Sequence, residues 1–417
     1  GEVLTFEVGR GASAIGEALW ARTQPLDDDD GESRRRRAED DDEEEEQLTE
    51  LAFPEKDPLR NRKGVPRALV FDARQPEPFE SRLATEEGLA SFSQQEDVLR
   101  AVEESTRQAR RRRRAGLPIS APFFAGAEPV FGFHSFGDGL REGGVLGSEW
   151  WDRTEDAVRA ELEACDALRG ALFIVDATHG GFPGVAATLL RDVADECKEA
   201  LRVAYLGLEE GSPKDPESDE DSQKKRALDR FSRAYAFRHL HEPADVVVPV
   251  DLRPPGTIAA AIDLTTLPFR RPAGIGLKEW RTNVAGPDEA RKLATLFFRS
   301  GDGRVTPVFS PFRAAAAVPD PEDLVHAAAA PGRGTAAACV PTDDTLATTF
   351  LRGLATTLNA KANLTARRAA THFGLQLEDL DETHADLVTT ANLYVKRHSA
   401  YDFPDEDDDG PDDTFDY

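Results

Sequence analysis

Residues 165–190 read CDALRGALFIVDATHGGFPGVAATLL, and the predicted fold depends on this stretch. Its apolar run, Ala171–Val175, has the length and composition of a buried parallel strand. The loop Thr178–Gly184 follows, and after it small and apolar residues recur at helical spacing. A strand, a glycine-rich turn and a helix form phosphate cradles in α/β proteins, because glycines let the backbone approach an anion and helix N–H groups point at it. Similar turns also occur without a ligand, so both interpretations stay open.

Up to about residue 270 the chain alternates between strand and helix patterns. Strands are predicted at residues 2–8, 67–72, 171–175, 202–208 and 245–250. Helix patterns lie between them, and this alternation is typical of a parallel sheet with helices on both faces. In the first strand, Thr5 and Glu7 alternate with apolar residues, which predicts a strand with one face in solvent. We therefore predict a Rossmann-type α/β domain over residues 1–270.

Beyond Arg270 the sequence changes character. A helix is predicted from Pro287 to Phe298, and residues 305–309 have the pattern of a strand. These elements predict a smaller α+β domain over residues 271–342. Helix patterns then recur at about 343–362, 363–373 and 378–397. They predict a layer of C-terminal helices over residues 343–400.

The charge of the chain restricts its partners. The 417 residues include 78 Asp and Glu but only 51 Lys and Arg, so the formal net charge is −27. A charge of this sign and size repels nucleic acid and anionic lipid, and it favours solubility or a basic protein partner. We therefore predict that the protein binds no nucleic acid.

Three segments are too polar to form a core of their own. Residues 27–50 form a charge block, which predicts a disordered acidic insertion that is either a solvated loop or a docking loop for a basic partner. Residues 109–147 form a linker that is basic at its start and rich in Pro and Gly. Its arginine run at 110–114 could contact phosphate, although exposed arginine clusters are usually only solvated. Residues 401–417 predict an acidic disordered tail.

Other features favour a cytoplasmic protein. No apolar run reaches the length of a transmembrane helix, and no signal peptide is evident. The three cysteines, Cys165, Cys197 and Cys339, are scattered and lack the spacing of a metal site. We expect a cytoplasmic chain that is not an integral membrane protein and that has no metal site.

Three stretches resemble the nucleotide loops of tubulins. Glu2–Gly16 is similar to their first strand, phosphate loop and helix, and Gly64–Asp72 is similar to a strand that carries an acidic residue towards the nucleotide. Thr178–Gly184 lies on the tubulin signature G-G-G-T-G-S-G, and only its first and last glycines, Gly180 and Gly184, coincide with that signature. The resemblance implies a tubulin-like fold. It also implies vestigial nucleotide loops at Gly9, Arg10, Gly11, Asp72, Gly180, Gly181 and Gly184.

Further matches are specific to one branch of the tubulin superfamily. His179–Val185 is similar to the H-D-G-F-S-G-V loop of the Misato family. Thr257–Arg270 resembles the Misato helix with a V-P-Y-R-like exit, and Leu364–Gly374 resembles part of the Misato C-terminus. The matches cover about residues 1–20, 64–80, 150–270 and 360–397.

The resemblance to the Misato family implies a role and a set of partners. It implies a non-enzymatic cytosolic factor that acts in mitochondrial distribution, morphology and inheritance, and in microtubule or spindle organisation. Tubulin, the cytosolic chaperonin and the mitochondrial outer surface are the expected partners. The alternative is a nucleotide-binding GTPase of the tubulin family that could polymerise.

Departures from the tubulin pattern predict a degenerate GTP site. Phe182 stands where the signature has Gly, and its ring would occupy space that a phosphate needs. Pro183 stands where the signature has Ser, so a hydroxyl and a backbone N–H donor are lost. Arg74 replaces an acidic residue of the pattern, and Arg271–Gly274 replaces the acidic loop that completes hydrolysis.

These departures predict no GTP hydrolysis, no catalytic residue and no required cofactor, while residual GTP binding is left open. Phe182 and Pro183 are the expected blockers of the phosphate loop. In the competing interpretation, Phe182 points into the core, as apolar residues more often do.

Overall fold

The structure is a computed structural model. It describes residues 2–22, 59, 67–71, 136–142, 144–178, 181–208, 220–270, 275–299, 304–313, 325–326, 336–359, 366–368, 370 and 375–395. The acidic insertion predicted at 27–50 and the tail predicted at 401–417 lie outside the described residues.

Five parallel strands form the central sheet. They are β1 Glu2–Val8, β2 Ala68–Phe71, β3 Leu168–Asp176, β4 Leu201–Gly207 and β5 Val246–Val250. Their order is β2-β1-β3-β4-β5, and every neighbouring pair is parallel. This is one of the common strand orders of doubly wound α/β folds. The prediction of a parallel α/β sheet is therefore confirmed.

Helices cover both faces of this sheet. Those described in this half of the chain are α1 Arg10–Arg22, α2 Ser148–Glu163, α3 Phe182–Glu196, α4 Glu220–His241 and α5 Pro255–Arg270. α1 and α5 share a buried cluster with Ile174 on one side of β3. α3 and α4 share a second cluster with Phe173 on the other side. The predicted helices on both faces are confirmed.

The chain leaves two adjacent strands towards opposite faces. β1 leads into α1, whereas β3 leads into α3 on the other side of the sheet. Val8 pairs with Val175, so the carboxyl ends of β1 and β3 lie side by side. Doubly wound sheets have a crevice at such a switch point, and their ligands bind there. The turns after β1 and β3 therefore form the candidate functional site.

β1 is buried on both faces, and the prediction of a solvent-facing side was wrong. Thr5 is 0 % exposed and Glu7 is 1 % exposed, because the strand lies inside the sheet and α1 covers its polar side. The Trp20 indole nitrogen of α1 donates to Glu7 Oε1 at 2.6 Å, which satisfies part of the hydrogen-bonding requirement of a buried carboxylate. Gly16 leaves room for this carboxylate, since a Cβ there would lie 2.0 Å from Glu7 Cδ.

A second sheet of four antiparallel strands follows. Its strands are β6 Ala294–Arg299, β7 Val305–Pro307, β8 Val325–His326 and β9 Ala336–Pro341, in the order β7-β6-β9-β8. It comes after α6 Leu277–Ala285, and a parallel bridge from Leu293 to Val247 joins it to β5. The helix predicted over 287–298 was wrong. Its second half is β6, which pairs with β9 and contains aromatic and β-branched residues that favour strands.

Two C-terminal helices pack on α4. They are α7 Asp344–Leu358 and α8 Leu377–Val395, and Asp343 caps α7 by accepting hydrogen bonds from two amides of its first turn. The Tyr394 hydroxyl of α8 accepts hydrogen bonds from the amides of Lys292 and Leu293, at 3.1 and 3.0 Å. Among the described residues, no helix is long and apolar enough to cross a membrane.

The packing of Gly16 over Glu7 predicts an unusual response to alanine. Gly→Ala in a helix normally stabilises by about 0.5–1 kcal/mol. Gly353 of α7 has open space around its Cα, so Gly353→Ala should show that gain. Gly16→Ala should instead destabilise by about 1–3 kcal/mol, because its methyl group collides with the Glu7 carboxylate. Urea unfolding followed by circular dichroism measures both, and an equal gain at both positions would contradict this packing.

Candidate functional site

Gly9 forms the turn between β1 and α1. Its φ is +100°, a conformation that favours glycine. A Cβ at this position would lie 2.6 Å from Asp176 Cβ and 3.2 Å from Phe182 Cγ. The turn after β1 therefore passes in direct contact with the end of β3 and the start of α3. Glycine is needed here for contact between parts of the same chain.

Asp176 places a carboxylate at the N-terminus of α1. This residue ends β3 and is 1 % exposed. Its Oδ2 accepts a hydrogen bond from the Gly11 amide at 2.9 Å, and its Oδ1 accepts from the amide and hydroxyl of Thr178 at 3.0 and 2.6 Å. The N-terminus of a helix favours negative charge, because its first N–H groups have no partner within the helix. The Asp176 carboxylate thus supplies a negative charge to this helix start from within the chain.

Leu252 fills the crevice from the side of β5. It lies two residues beyond the end of that strand and is 5 % exposed. A Cβ on Gly11 would lie 2.7 Å from Leu252 Cδ1, and a Cβ on Gly207 would lie 2.1 Å from Leu252 Cδ2. The branched end of this side chain thus lies against both backbones. The space between the first turn of α1 and the end of β4 is occupied by hydrocarbon.

Phe182 begins α3 and is 5 % exposed. Its ring belongs to the hydrophobic cluster on the α3 side of the sheet, and it also faces Gly9 across the turn. The position is therefore both a core position and one side of the crevice. Pro183 is buried in the first turn of the same helix. The blocking role predicted for these two residues stays a prediction.

Gly184, the signature glycine on α3, and Gly139 let two parts of the chain approach each other closely. A Cβ on Gly184 would lie 2.0 Å from the carbonyl oxygen of Phe136, and a Cβ on Gly139 would lie 1.8 Å from the carbonyl oxygen of Gly181. Residues 136–142, which we call the strap, thus cross the N-terminus of α3 in backbone contact with it. They belong to the segment predicted as a linker, and Phe136 within them is buried.

Aromatic and charged contacts hold the strap in place. The Phe136 ring stacks on His239 of α4 at 5.0 Å and meets Tyr235 edge-on at 5.2 Å. Arg141 pairs with Asp192 of α3 at 2.5 Å and lies over the Trp151 ring of α2 at 5.2 Å. The strap therefore joins three helices at the site where the sequence predicts a phosphate loop.

The structure brings together some of the predicted site residues. Gly9 and Gly11 meet Phe182 and Asp176 at the crevice, and Gly181 and Gly184 lie beside them under the strap. Other predicted positions lie outside the described residues: Asp72, Arg74, Gly180, Arg271–Gly274 and the side chain of Arg10. Sequence reasoning missed Asp176 and Leu252. An acidic residue at the carboxyl end of a strand was a usable signal for Asp176, whereas nothing near Leu252 in the sequence indicates its contacts.

The contacts of Asp176 and Leu252 bear on whether a guanine nucleotide could enter the crevice. The phosphates of the nucleotide would compete with Asp176 for the Gly11 amide, and Leu252 would have to leave its buried position. Within the described ranges, no group of three or more His, Cys, Asp or Glu side chains could hold a metal ion.

The sequence matches none of the protein-family models with which it was compared, and no curated protein is significantly similar to it. The resemblance to the Misato family therefore rests on the quoted residues alone.

Two histidines of α4 make stability depend on pH: His239 is partly buried against Phe136 of the strap, and His241 is buried against Phe237. Burial lowers the pKa of His239 to about 4, with help from Arg238 and Arg191, and burial lowers the pKa of His241 to about 3. The unfolded chain binds these protons near pH 6.5. The free energy of unfolding should therefore be highest above about pH 6.5 and fall as the pH drops towards 4, on the order of a few kcal/mol in total.

Replacing His239 by phenylalanine tests whether this histidine causes the pH dependence of stability. His239→Phe keeps a ring against Phe136 and removes the titrating group, so the loss of stability between pH 6.5 and 4.5 should become smaller. Tyr235→Phe also keeps a ring against Phe136 but removes no group that titrates in this pH range, so it is the control and should leave the slope unchanged. Denaturant melts at several pH values give the slopes, and equal slopes in all three proteins would contradict the assignment.

Proposed function

We propose that this chain is a non-catalytic, tubulin-like protein of the Misato type, which acts through protein contacts in mitochondrial distribution and morphology and in microtubule or spindle organisation. The observation that carries the non-catalytic part is the crevice at the switch point, where Leu252 and Asp176 occupy the space beside Gly11. The cellular role comes from the resemblance of the α3 loop and the C-terminal segments to the Misato family.

The energetics of the crevice support weak or absent nucleotide binding. Moving a leucine from a buried to an exposed position costs about 1.5–3 kcal/mol. Two like charges about 4 Å apart repel by about 4 kcal/mol at the effective dielectric constant of a protein site. A micromolar site corresponds to about 8 kcal/mol of binding free energy. Subtracting both costs from such a site leaves about 1–3 kcal/mol, which is weaker than millimolar binding.

The proposed partners are proteins. Tubulin and the cytosolic chaperonin follow from the family resemblance, as does association with the mitochondrial outer surface in the cytoplasm. The net charge of −27 favours basic surfaces on such partners and disfavours nucleic acid.

A nucleotide-binding relative of tubulin is the second candidate. It is favoured by the position of the crevice, which lies where doubly wound folds bind nucleotides and has Gly9, Gly11 and Gly207 around it. In this candidate, Leu252 would move aside when the nucleotide binds.

Nucleotide binding separates the two candidates. Titration of the full chain with a fluorescent GTP analogue and Mg²⁺ should give no saturable binding tighter than about 1 mM, and GTP should release no phosphate above a heat-killed control. Saturable micromolar binding by the unmodified protein would contradict the proposal.

A variant with an open crevice tests whether Asp176 and Leu252 are what prevents nucleotide binding. The double variant Asp176→Ser, Leu252→Ala removes the competing carboxylate and the hydrocarbon filling. It should bind the analogue at least about tenfold more tightly than the unmodified chain, since a single charge-assisted hydrogen bond contributes about 1.5–3 kcal/mol. Leu380→Ala, which truncates a buried leucine of α8, is the control and should show no gain. A folded double variant without any gain would refute the role of these two residues.

The cellular role has its own test. Depletion of the protein in its host cell should change the distribution of mitochondria or the organisation of the spindle. Re-expression of the full chain should restore both, and so should the Gly353→Ala chain as a surface control. Normal mitochondria and spindles after complete depletion would contradict the proposed role.

A further inference from the structure

Leu252 is anchored by the residue that precedes it. Asp251 lies just beyond β5, is 9 % exposed and bonds through its carboxylate to the segment that follows β7. Its Oδ1 accepts a hydrogen bond from the Ser310 amide at 3.2 Å, and its Oδ2 accepts from the Ser310 hydroxyl. Arg313 approaches the same oxygen at 3.4 Å. All of these donors follow β7 of the second sheet.

The segment that holds Asp251 is itself firmly packed. Val308 donates its amide to Leu296 of β6 at 2.8 Å, so the chain before Ser310 is fixed to the second sheet. Phe309 and Phe312 flank Ser310 and both meet the Phe350 ring of α7 edge-on, at 5.7 and 5.4 Å. The hydroxyl of Ser310 therefore has little freedom to follow a movement of Asp251.

We infer that the Asp251–Ser310 pair is a latch, through which the second sheet keeps Leu252 inside the crevice and holds the site closed. The inference rests on the proposed function, in which the closed crevice is the resting state, and it adds what controls that state. Leu252 and Asp251 are adjacent, so a displacement of one moves the other. Release of the carboxylate from Ser310 frees the turn 251–254 to carry Leu252 away from Gly11.

The arrangement gives the crevice a control point outside its own lining. Ser310 contacts neither Gly11 nor Gly207 in the contacts that define the crevice, yet it fixes the residue next to Leu252. A change at Ser310 should thus open the crevice while leaving its walls intact. A change of the same chemical size on the preceding strand, β7, should not open the crevice.

A thiol at position 252 measures the opening directly. Leu252→Cys is introduced in the full chain with Cys165, Cys197 and Cys339 replaced by alanine, and the rate of reaction with a maleimide is followed. Adding Ser310→Ala should raise this rate about tenfold or more, as expected for the loss of a hydrogen bond to a charged group. Thr306→Ala removes an exposed hydroxyl of β7 and should leave the rate unchanged. Equal rates for the two additions would overturn the latch.

Labelling of a second thiol distinguishes a local release of Leu252 from an opening of the whole second sheet. In the chain that keeps only Cys339, on β9, Ser310→Ala should not raise the labelling rate. A parallel increase at both thiols would show that the second sheet opens as a whole, and it would overturn the latch.

Hydrogen exchange covers the case in which Leu252→Cys fails to fold. The Leu208 amide donates to Val250 at 2.9 Å, next to the proposed moving turn. Ser310→Ala in the otherwise unmodified chain should speed exchange in the peptide that contains Leu208 by about tenfold, again against Thr306→Ala. Unchanged exchange would refute the latch. No nucleotide is used in these measurements, so they test the latch separately from the proposed function. The latch can be refuted while the chain still binds no GTP. Conversely, GTP binding can refute the proposed function while the latch is confirmed.

Discussion

The contact between the turn after β1 and the end of β3 is the constraint on which the site depends. Gly9 and Asp176 approach so closely that a Cβ on Gly9 would lie 2.6 Å from Asp176 Cβ. β1 and β3 are neighbours whose helices leave to opposite faces, so their turns must pass each other at this point. The approach brings the Asp176 carboxylate onto the Gly11 amide at the start of α1.

An electrostatic and an apolar contribution both stabilise the closed crevice. The carboxylate satisfies an amide of α1 and interacts favourably with the positive end of the helix dipole. Leu252 removes water from the neighbouring space and gains the free energy of burying an isobutyl group. Both contributions stabilise the folded chain without a ligand. In the proposed function the same two groups oppose a phosphate, so intramolecular stability and nucleotide affinity compete for one space. The latch at Asp251 links that competition to the second sheet.

The sequence predicted the parts of the fold that local patterns determine. β3, β4 and β5 are apolar runs of strand length, and the structure has them within a few residues of the predicted bounds. The predictions were wrong where a contact with a distant part of the chain determines the secondary structure or the burial of a residue. Residues 294–298 suit the end of a helix by composition, but pairing with β9 makes them a strand. The solvent-facing side predicted for β1 is buried because α1 supplies the Trp20 donor that Glu7 needs.

The site shows the same division. Gly184 matches the tubulin signature, yet its missing side chain makes room for the Phe136 carbonyl. A sequence motif indicates that glycine is required at a position, but it does not indicate which part of the chain or which ligand lies against that glycine. The function of Leu252 depends on Gly11 and Gly207, which come from two other parts of the chain, and only the tertiary structure brings the three together. Asp176 could have been predicted from the sequence. It is an acidic residue at the carboxyl end of a buried strand, and ligand sites of parallel sheets form at that edge.

The most direct test of the central claim is a crystal structure of the full chain grown with an excess of a non-hydrolysable GTP analogue and Mg²⁺. We expect Leu252 between Gly11 and Gly207, the Asp176 carboxylate on the Gly11 amide, and no nucleotide density at the switch point. Phosphate density on the Gly11 amide, with Leu252 displaced, would contradict the central claim.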